Sequence, residues 1–458
     1  MNPLLKKSLA LCAEMESLGG EALVAGGAVR DYLLGIPLHD ADIAHGLPID
    51  TVKNVFNPTF VGQGEKFGVA LIRYDGETFE ATCFRNDGTY GDGRRPDGVS
   101  PAKNFIEDSK RRDFTINAMG LKPNLELVDH WGGANDIDAK LIRCVGDPSE
   151  RIIEDPVRML RAARFAACLG FTIEDETAAA IKKNAHNLSS VARERVSQEM
   201  IKAAHSPKSL ASFIEISEDL GVLEHFLPEI SRMKNFRHNP AHHPEGNVFQ
   251  HTLAALRVAE TTSVDQNLAI LFHDIGKPIT HATGRHGHPT YYGHEEAGAK
   301  LLPSVCSRLR MTNDSISCIT AVAAEHGKAH RLSEMRPETQ YRLWTHPHYD
   351  SIKVASMADN RCRLHVHDEA AMQDNIAAFE QRMASYGDKD AVSVRLSELA
   401  RGEIIMEALP GLQSSKIGLY KKQTTDWILS KGLDVTPVQV NEFLLGLPAR
   451  EAAGEFSR

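Results

Sequence analysis

The sequence predicts an α+β chain in which a head of short strands gives way to helices. Three observations carry this reading. Short β-like runs alternate with turns through about residue 140, an arginine-striped helical pattern follows near residues 154–167, and a histidine-rich stretch opens near residue 230. At 458 residues the length prior allows about three domains. The expected division is a head over 1–140, a helical neck over 141–225, a metal-type domain over 226–375 and a helical C-terminal region over 376–458.

Composition narrows the class. Hydrophobic content of 42% and charged content of 25% are ordinary for a soluble globular protein. No run of roughly eighteen apolar residues occurs, which argues against a membrane-spanning helix. The opening segment MNPLLKKSLALCAEMESLGGE is broken by Glu14 and Glu16 and keeps an amphipathic helical register, unlike a signal peptide. Seven scattered cysteines without a Cys-x-x-Cys spacing point to reduced thiols in a cytoplasm and no zinc knuckle. A net charge of −9 means that nucleic-acid binding must come from a local basic surface.

In the head, Ala22-Leu23-Val24-Ala25 reads as a buried strand and Tyr32-Leu33-Leu34 as the start of a helix. Between them, Gly26-Gly27 lets backbone N–H groups approach a phosphate. Asp40 and Asp42 alternate with Ala41, so on an extended segment both carboxylates leave from one face. Two such groups repel unless a cation lies between them, and hard oxygen ligands suit Mg²⁺. A phosphate cradle beside a Mg²⁺ pair is what phosphoryl or nucleotidyl transfer needs.

Further on, Gly68–Tyr74 and Thr78–Arg85 flank Asp75-Gly76, a hairpin signal. Glu80 supplies a third carboxylate if it faces the aspartates; otherwise it is a solvent-facing strand residue. Residues 86–98 hold four glycines, a proline and the Arg94-Arg95 pair, the composition of a functional loop able to bind phosphate, or of a long surface loop. Arg111 and Arg112 precede a helix-compatible segment on which Asp113 and Asn117, at i and i+4, can meet a sugar hydroxyl. Leu125–Val128 and Leu141–Val145 close the head as strand-like runs.

The neck opens with Glu154-Asp155-Pro156, read as the first turn of one helix running to Ala167, where proline and acidic residues are tolerated. Arg158, Arg161 and Arg164 form a drifting polar stripe on it. Asp155 and Arg158 are one turn apart. They either present an acceptor and a donor fork to a base edge or form an intrahelical ion pair, and residue chemistry favours the ion pair. A later helix carries Glu194–Met200.

GGAVRDYLLG, the Asp-x-Asp, TFEATCFR, YGDGRRPD, RRDFTINA, EDPVRMLRAARFA and ERVSQE stand in the order found in bacterial class II tRNA nucleotidyltransferases, the CCA-adding enzymes, which the chain resembles over about residues 20–200. They share a superfamily with bacterial poly(A) polymerases. The resemblance implies a polymerase-β-like head in which Asp40 and Asp42 hold catalytic Mg²⁺. It also implies that Gly27, Arg30 and Arg112 contact phosphates and sugar, and that Asp155, Arg158, Arg161 and Arg164 line the nucleotide pocket. The Asp155–Arg158 pair would then read CTP or ATP in place of a template, and the substrate would be a tRNA 3′ end. CC-only addition and poly(A) synthesis are the alternatives. The YGDGRRPD loop favours full CCA addition, and the short terminal LPAREAAGEFSR, which lacks a strongly basic tail, disfavours poly(A) synthesis.

From about residue 230, His251, the His273-Asp274 dyad and Asp359 can converge from separate helices on a divalent metal whose identity the ligand types leave open. His294 and His326 extend that set or bind phosphate. The order resembles HD-type phosphohydrolases, with His251, His273, Asp274 and Asp359 as ligands. It implies a metal-dependent phosphodiesterase or phosphatase. The span His281–His294 reads as a lid or an ordinary loop. Lys421, Lys422 and Lys431 touch RNA or, more in keeping with exposed lysines generally, face solvent.

Overall fold

The computed structural model describes residues 2–62, 64–88, 98–237, 246–285, 287–363 and 366–452. The YGDGRRPD loop, residues 90–97, lies outside them. The chain divides into two compact units, Met1–Arg232 with Ser307–Met311, and Met233–Cys306 with Thr312–Arg458.

The first unit opens with α1 (Pro3–Ser17), whose Asn2 side chain accepts from the Leu4 N–H while Pro3 occupies the first turn. Its apolar stripe, Leu5, Leu9, Cys12 and Met15, is buried. There follow β1 (Ala22–Ala25), α2 (Gly27–Leu33), β2 (Asp42–His45), α3 (Ile49–Phe56), β3 (Val69–Tyr74) and β4 (Glu77–Cys83). The β3–β4 connection is Asp75-Gly76, both with positive φ (46° and 82°), as a two-residue type I′ hairpin requires. After the short β5 (Arg85–Asp87), β6 (Val99–Pro101) and α4 (Phe105–Lys110) come β7 (Gly120–Leu121), β8 (Leu127–Val128), α5 (Gly133–Asp138) and β9 (Leu141–Ile142).

Six strands make one sheet in the order β3-β4-β2-β1-β7-β8. Every residue of β1 is buried, as a central strand must be. β1 runs antiparallel to β2 with Ala25 opposite Asp42, and antiparallel to β7 with Ala25 opposite Gly120. That register places the turn leaving β1 beside the first residue of β2, and so joins the glycine pair to the aspartates.

The neck differs from the single helix expected. α6 (Pro148–Glu154), capped by Asp147, stops at Glu154, and α7 (Arg158–Leu169) begins only after the three residues Asp155-Pro156-Val157. Proline disfavours helical geometry in the residue before it, so Asp155 is extended (φ −144°, ψ 96°) and Glu154 closes one helix instead of opening the next. Helix α2 likewise starts at Gly27, five residues earlier than the apolar pattern indicates, because Gly26 adopts φ 75° and turns the chain directly out of β1. The unit ends with β10 (Thr172–Ile173), α8 (Asp175–Asn184), α9 (Arg193–Ala203), α10 (Pro207–Asp219) and α11 (Pro228–Arg232). Helices α9 and α10 pack on α7, whose Met159, Leu160, Ala162, Ala163 and Ala166 are buried.

The second unit is helical apart from one short hairpin. It contains α12 (Val248–Val258), α13 (Val264–Phe272), α14 (Lys277–Thr280), the hairpin β11 (Ala282–Thr283) with β12 (Pro289–Thr290), α15 (His294–Arg308), α16 (Asn313–Glu325), α17 (Pro337–Trp344) and α18 (Tyr349–Arg361). Then come α19 (Val366–Ser385), α20 (Lys389–Leu399), α21 (Gly402–Ala408), α22 (Ser414–Lys431) and α23 (Pro437–Ala452). Helices α12, α13, α16 and α18 pack on one another around Leu253, Leu271, Val322 and Ile352. Among the described residues no helix is long and apolar enough to cross a membrane, and all seven cysteines are free.

Candidate functional site

A cavity of about 430 Å³ opens in the first unit where β1 meets α2. Gly26, Gly27, Asp40, Asp42, Arg30 and Arg112 line it together with Asp113, Asp155, Arg158, Arg161 and Phe165. Gly26 is required there twice over: φ is +75°, and a Cβ would stand 3.0 Å from Arg112 Nη1. The carboxyl of Asp42 is pushed up to about 6 by burial and by the Glu80 and Asp40 carboxylates, against the pull of Arg112. Asp40 and Asp42, both lining the cavity, offer hard oxygen ligands to a divalent cation, which would offset their repulsion. Glu80 is exposed on β4, beside Asp42 in the register that pairs Ile43 with Ala81, but does not line the cavity.

The cationic side is built on one ring. The guanidinium groups of Arg30, Arg161 and Arg164 stand 5.0, 5.3 and 4.0 Å from the Phe165 centroid. Arg30 is fixed by hydrogen bonds to Asp31 (2.8 Å) and Asn117 (2.7 Å). Arg164 does not line the cavity; it donates to Glu199 (2.5 Å), which also lies 3.9 Å from Arg161. Arg112 is held by Asp108 (3.2 Å) and by the Asn117 carbonyl (3.4 Å).

Two side-chain expectations are corrected. Asp113 and Asn117 do not share an α-helical face: residues Thr115–Asn117 form a single 3₁₀ turn after an extended Phe114. Asp113 accepts from the Phe114 N–H (2.8 Å), Asn117 Nδ2 (3.1 Å) and Arg161 Nε (2.6 Å), so its carboxylate is occupied by the protein. The Asp155–Arg158 ion pair favoured by residue chemistry does not form. Asp155 is clamped by both terminal nitrogens of Arg195 (2.9 and 2.6 Å), while Arg158 donates to Glu154 (3.0 Å) and to the carbonyls of Arg151 (3.0 Å) and Arg111 (2.9 Å). The helix break at Pro156 turns the two side chains apart. Arg195 and Glu199 are therefore supports that sequence reading missed. Their spacing on the ERVSQE helix gives no sign of partners some 40 residues away.

Asp113 also gives a stability prediction. Burial acts to raise its carboxyl, but Arg161 and Arg158 overcome this and hold it at about 2, below the ordinary 3.8. A depressed folded value stabilises above the unfolded value and loses that contribution as pH falls through 4 towards 2. Asp113→Asn should cost about 2 kcal/mol at pH 7 by this linkage. Denaturant melts of variant and wild type should converge as pH approaches 2.

The second unit gathers its metal-type residues in its core. His251 lies on α12, His273 and Asp274 follow α13, His294 opens α15, His326 follows α16, and Asp359 lies on α18. His251 Nε2 is 2.9 Å from Asp359 Oδ1 and 3.6 Å from Asp274 Oδ2, and His273 Nε2 is 3.2 Å from Asp274 Oδ2. His294 and His326 reach Asp274 Oδ1 at 3.5 and 3.8 Å. Two overlapping triads, His251/His273/Asp359 and His273/Asp274/His326, have the closeness of a metal-ligand set. The sequence-predicted four converge, and His294 and His326 join them.

Tautomers support a cation here. The Nδ1 atoms of His273, His294 and His326 face backbone carbonyls at 2.7, 2.9 and 3.2 Å, so each N–H points outward and each Nε2 lone pair inward. His273 Nε2 and Asp274 Oδ1 are buried without a hydrogen bond. Burial, then His273, push His326 down to about 3, which keeps it the neutral ligand a metal takes. Burial works to raise Asp274, yet His273, Lys277 and His294 hold its carboxyl well below the usual range. Arg363 donates to Asp359 Oδ2 (2.6 Å) and fixes that carboxylate.

Comparisons with known proteins match three segments of the chain to known families. Residues 22–143 match the Poly A polymerase head domain family, 170–234 the probable RNA and SrmB-binding site of polymerase A, and 248–364 the HD domain family. The chain is 33% identical over 422 residues to the multifunctional CCA protein of Thioalkalivibrio sulfidiphilus, covering 88% of this chain and 98% of that one. It is 39% identical over 249 residues to the CCA-adding enzyme of Lactobacillus johnsonii, covering 54% of this chain and 61% of the relative. With 48% of the Ligilactobacillus salivarius enzyme covered as well, the chain spans less than two thirds of several curated relatives. In fold it is similar to the crystallised Bacillus stearothermophilus CCA-adding enzyme in complex with CTP, with a TM-score of 0.73 and 21% identity over 99% of this chain and 100% of that one. The Thermotoga maritima CCA-adding enzyme complexed with tRNA gives a TM-score of 0.57 at 18% identity, over 98% and 96% of the two chains.

Proposed function

The chain belongs to the CCA-adding enzyme family, and we propose that its first unit adds CCA to tRNA 3′ ends from CTP and ATP without a nucleic-acid template. The HD-type domain is proposed to hydrolyse phosphate esters with a divalent metal. The observation that carries the first proposal is the joining of Asp40 and Asp42 to a glycine-lined cavity faced by Arg30, Arg112, Arg158 and Arg161.

Asp40 and Asp42 are the residues to hold Mg²⁺, with Glu80 adding negative charge beside them. When bound, Mg²⁺ would lower the barrier to attack by the RNA 3′-hydroxyl on the α-phosphate and neutralise the triphosphate, the bond to the β-phosphate breaking so that pyrophosphate leaves and the hydroxyl proton passing to solvent. The chain's own share is positioning and charge stabilisation. Gly26 and Gly27 let the backbone approach the phosphates, and Arg30, Arg112 and Arg161 meet their charge. Asp155 and Arg158 offer an acceptor and a donor fork to the base edge. For that they exchange protein partners for the nucleotide, and Arg195 sets where the Asp155 carboxylate stands. Free cysteines suit a cytoplasmic setting.

Arg195→Met should therefore weaken the use of both nucleotides. A bidentate charge-assisted pair contributes about 1.5–3 kcal/mol, which corresponds to about 10- to 150-fold in kcat/KM. Steady-state kinetics with CTP and with ATP check it, and unchanged constants would remove Arg195 from the site.

The proposal is tested with tRNA lacking its terminal CCA, incubated with CTP, ATP and both, the products being sequenced. CCA addition gives two cytidines with CTP alone and one further adenosine when ATP is added. Extension by many adenosines would instead indicate poly(A) synthesis, and arrest after two cytidines with both nucleotides present would indicate CC-only addition.

A further inference from the structure

Behind Arg112 stands a carboxylate that lines no part of the cavity. Asp108 lies on α4, is 1% exposed, and divides its two oxygens between different partners. Oδ1 accepts from the backbone N–H of Arg85, the first residue of β5 (3.3 Å), and from Arg111 Nε and Nη2 (3.0 and 2.8 Å). Oδ2 accepts from Arg112 Nη2 (3.2 Å). Arg112 Nη1 then lies against the turn at Gly26, where a Cβ would stand 3.0 Å from it. Arg111 in turn gives its carbonyl to Arg158 Nη2 at 2.9 Å. One buried carboxylate thus holds a guanidinium of the cavity directly and steadies the residue on which a second one rests. Burial acts to raise the Asp108 carboxyl, but Arg111 and Arg112 overcome this and hold it below its ordinary value.

We infer that Asp108 is a positioning residue for nucleotide transfer, acting through Arg112. It touches neither nucleotide nor metal. It pins α4 to β5 with one oxygen and aims the Arg112 guanidinium at the triphosphate with the other. A long arginine side chain loses rotamer freedom when it grips a ligand, and a partner that holds it beforehand removes that cost. The inference rests on the reading of the cavity as the nucleotide site.

The test uses the full chain, tRNA lacking its terminal CCA, CTP, and excess Mg²⁺. Inorganic tripolyphosphate serves as an inhibitor that carries the phosphates without the base. Asp108→Asn keeps the shape. Three donors converge on Oδ1, so the amide oxygen stays there and the amide NH₂ turns to Arg112, donor against donor. It should lower kcat/KM for CTP by about 10- to 100-fold and weaken tripolyphosphate inhibition by a similar factor. Asp108→Glu keeps the charge and shifts the carboxylate by one methylene, a misplacement that should cost at least about tenfold. In an Arg112→Met background, Asp108→Asn should cost no more than about threefold further, because residues that act through one another are not additive. A full additional loss there overturns the inference. So does a folded Asp108 variant within about threefold of the parent, or a loss with CTP that leaves tripolyphosphate inhibition unchanged. If Arg112→Met alone leaves CTP use unchanged, the nucleotide-site reading fails at Arg112 first and takes the inference with it, a result distinct from the others. Thermal melts identify any variant that fails to fold; if Asp108→Asn does so, the glutamate variant decides.

Discussion

Asp42→Ala is expected to abolish incorporation of both CTP and ATP while leaving the fold intact. The loss should be about a thousandfold or more, since a metal-holding carboxylate acts on the charge that develops in the transition state. Stability should move the other way. Asp42 is pushed up to about 6 by burial and by Glu80 and Asp40, so in metal-free protein its charge is unfavourable above that pH. The metal-free variant should thus melt at or above the wild-type temperature at pH 8. Loss of incorporation together with an unfolded protein would say nothing of the site, whereas full incorporation by a folded variant would remove Asp42 from it.

His273→Ala should have the second large effect, confined to the other activity. His273 is the residue common to both triads, is 1% exposed, and presents a buried Nε2 with no hydrogen bond. Its removal should lower retained divalent metal by at least about a hundredfold in affinity, more than the loss of an outer partner costs. Hydrolysis of bis(p-nitrophenyl) phosphate should fall by about a thousandfold, equivalent to about 4 kcal/mol of barrier. Incorporation of CTP and ATP by the head should be unchanged. A variant that still hydrolyses at the wild-type rate would place the hydrolytic chemistry elsewhere.

The residues that the sequence brought forward for chemistry are those whose spacing is local. Asp40 and Asp42 alternate on one short segment, the glycine pair follows an apolar run, and Asp75-Gly76 names its own turn. The HD-type set was legible for a different reason. A His-Asp dyad ending an apolar helix is uncommon, and the flanking histidines and Asp359 come from helices with regular apolar faces.

What escaped was long-range pairing. Nothing in the periodicity says that Arg195 clamps Asp155, that Glu199 takes Arg164, or that Cys362 meets His251 across 111 positions. The differences in local geometry arise from the backbone conformation of single residues. The sequence pattern tolerates Pro156 in a first turn, but its effect on Asp155 splits the helix and separates the two side chains expected to pair. Gly26 stands out in the sequence as a residue that lets a phosphate approach, and its positive φ also sets the start of α2.

The most direct measurement is a crystal structure with Mg²⁺ and CTP bound. The expected result is a cation held between the Asp40 and Asp42 carboxylates, the triphosphate against Gly27 and Arg112, and the cytosine edge at Asp155 and Arg158. A triphosphate bound outside the 430 Å³ cavity, or aspartate oxygens turned away from the ion, would contradict it.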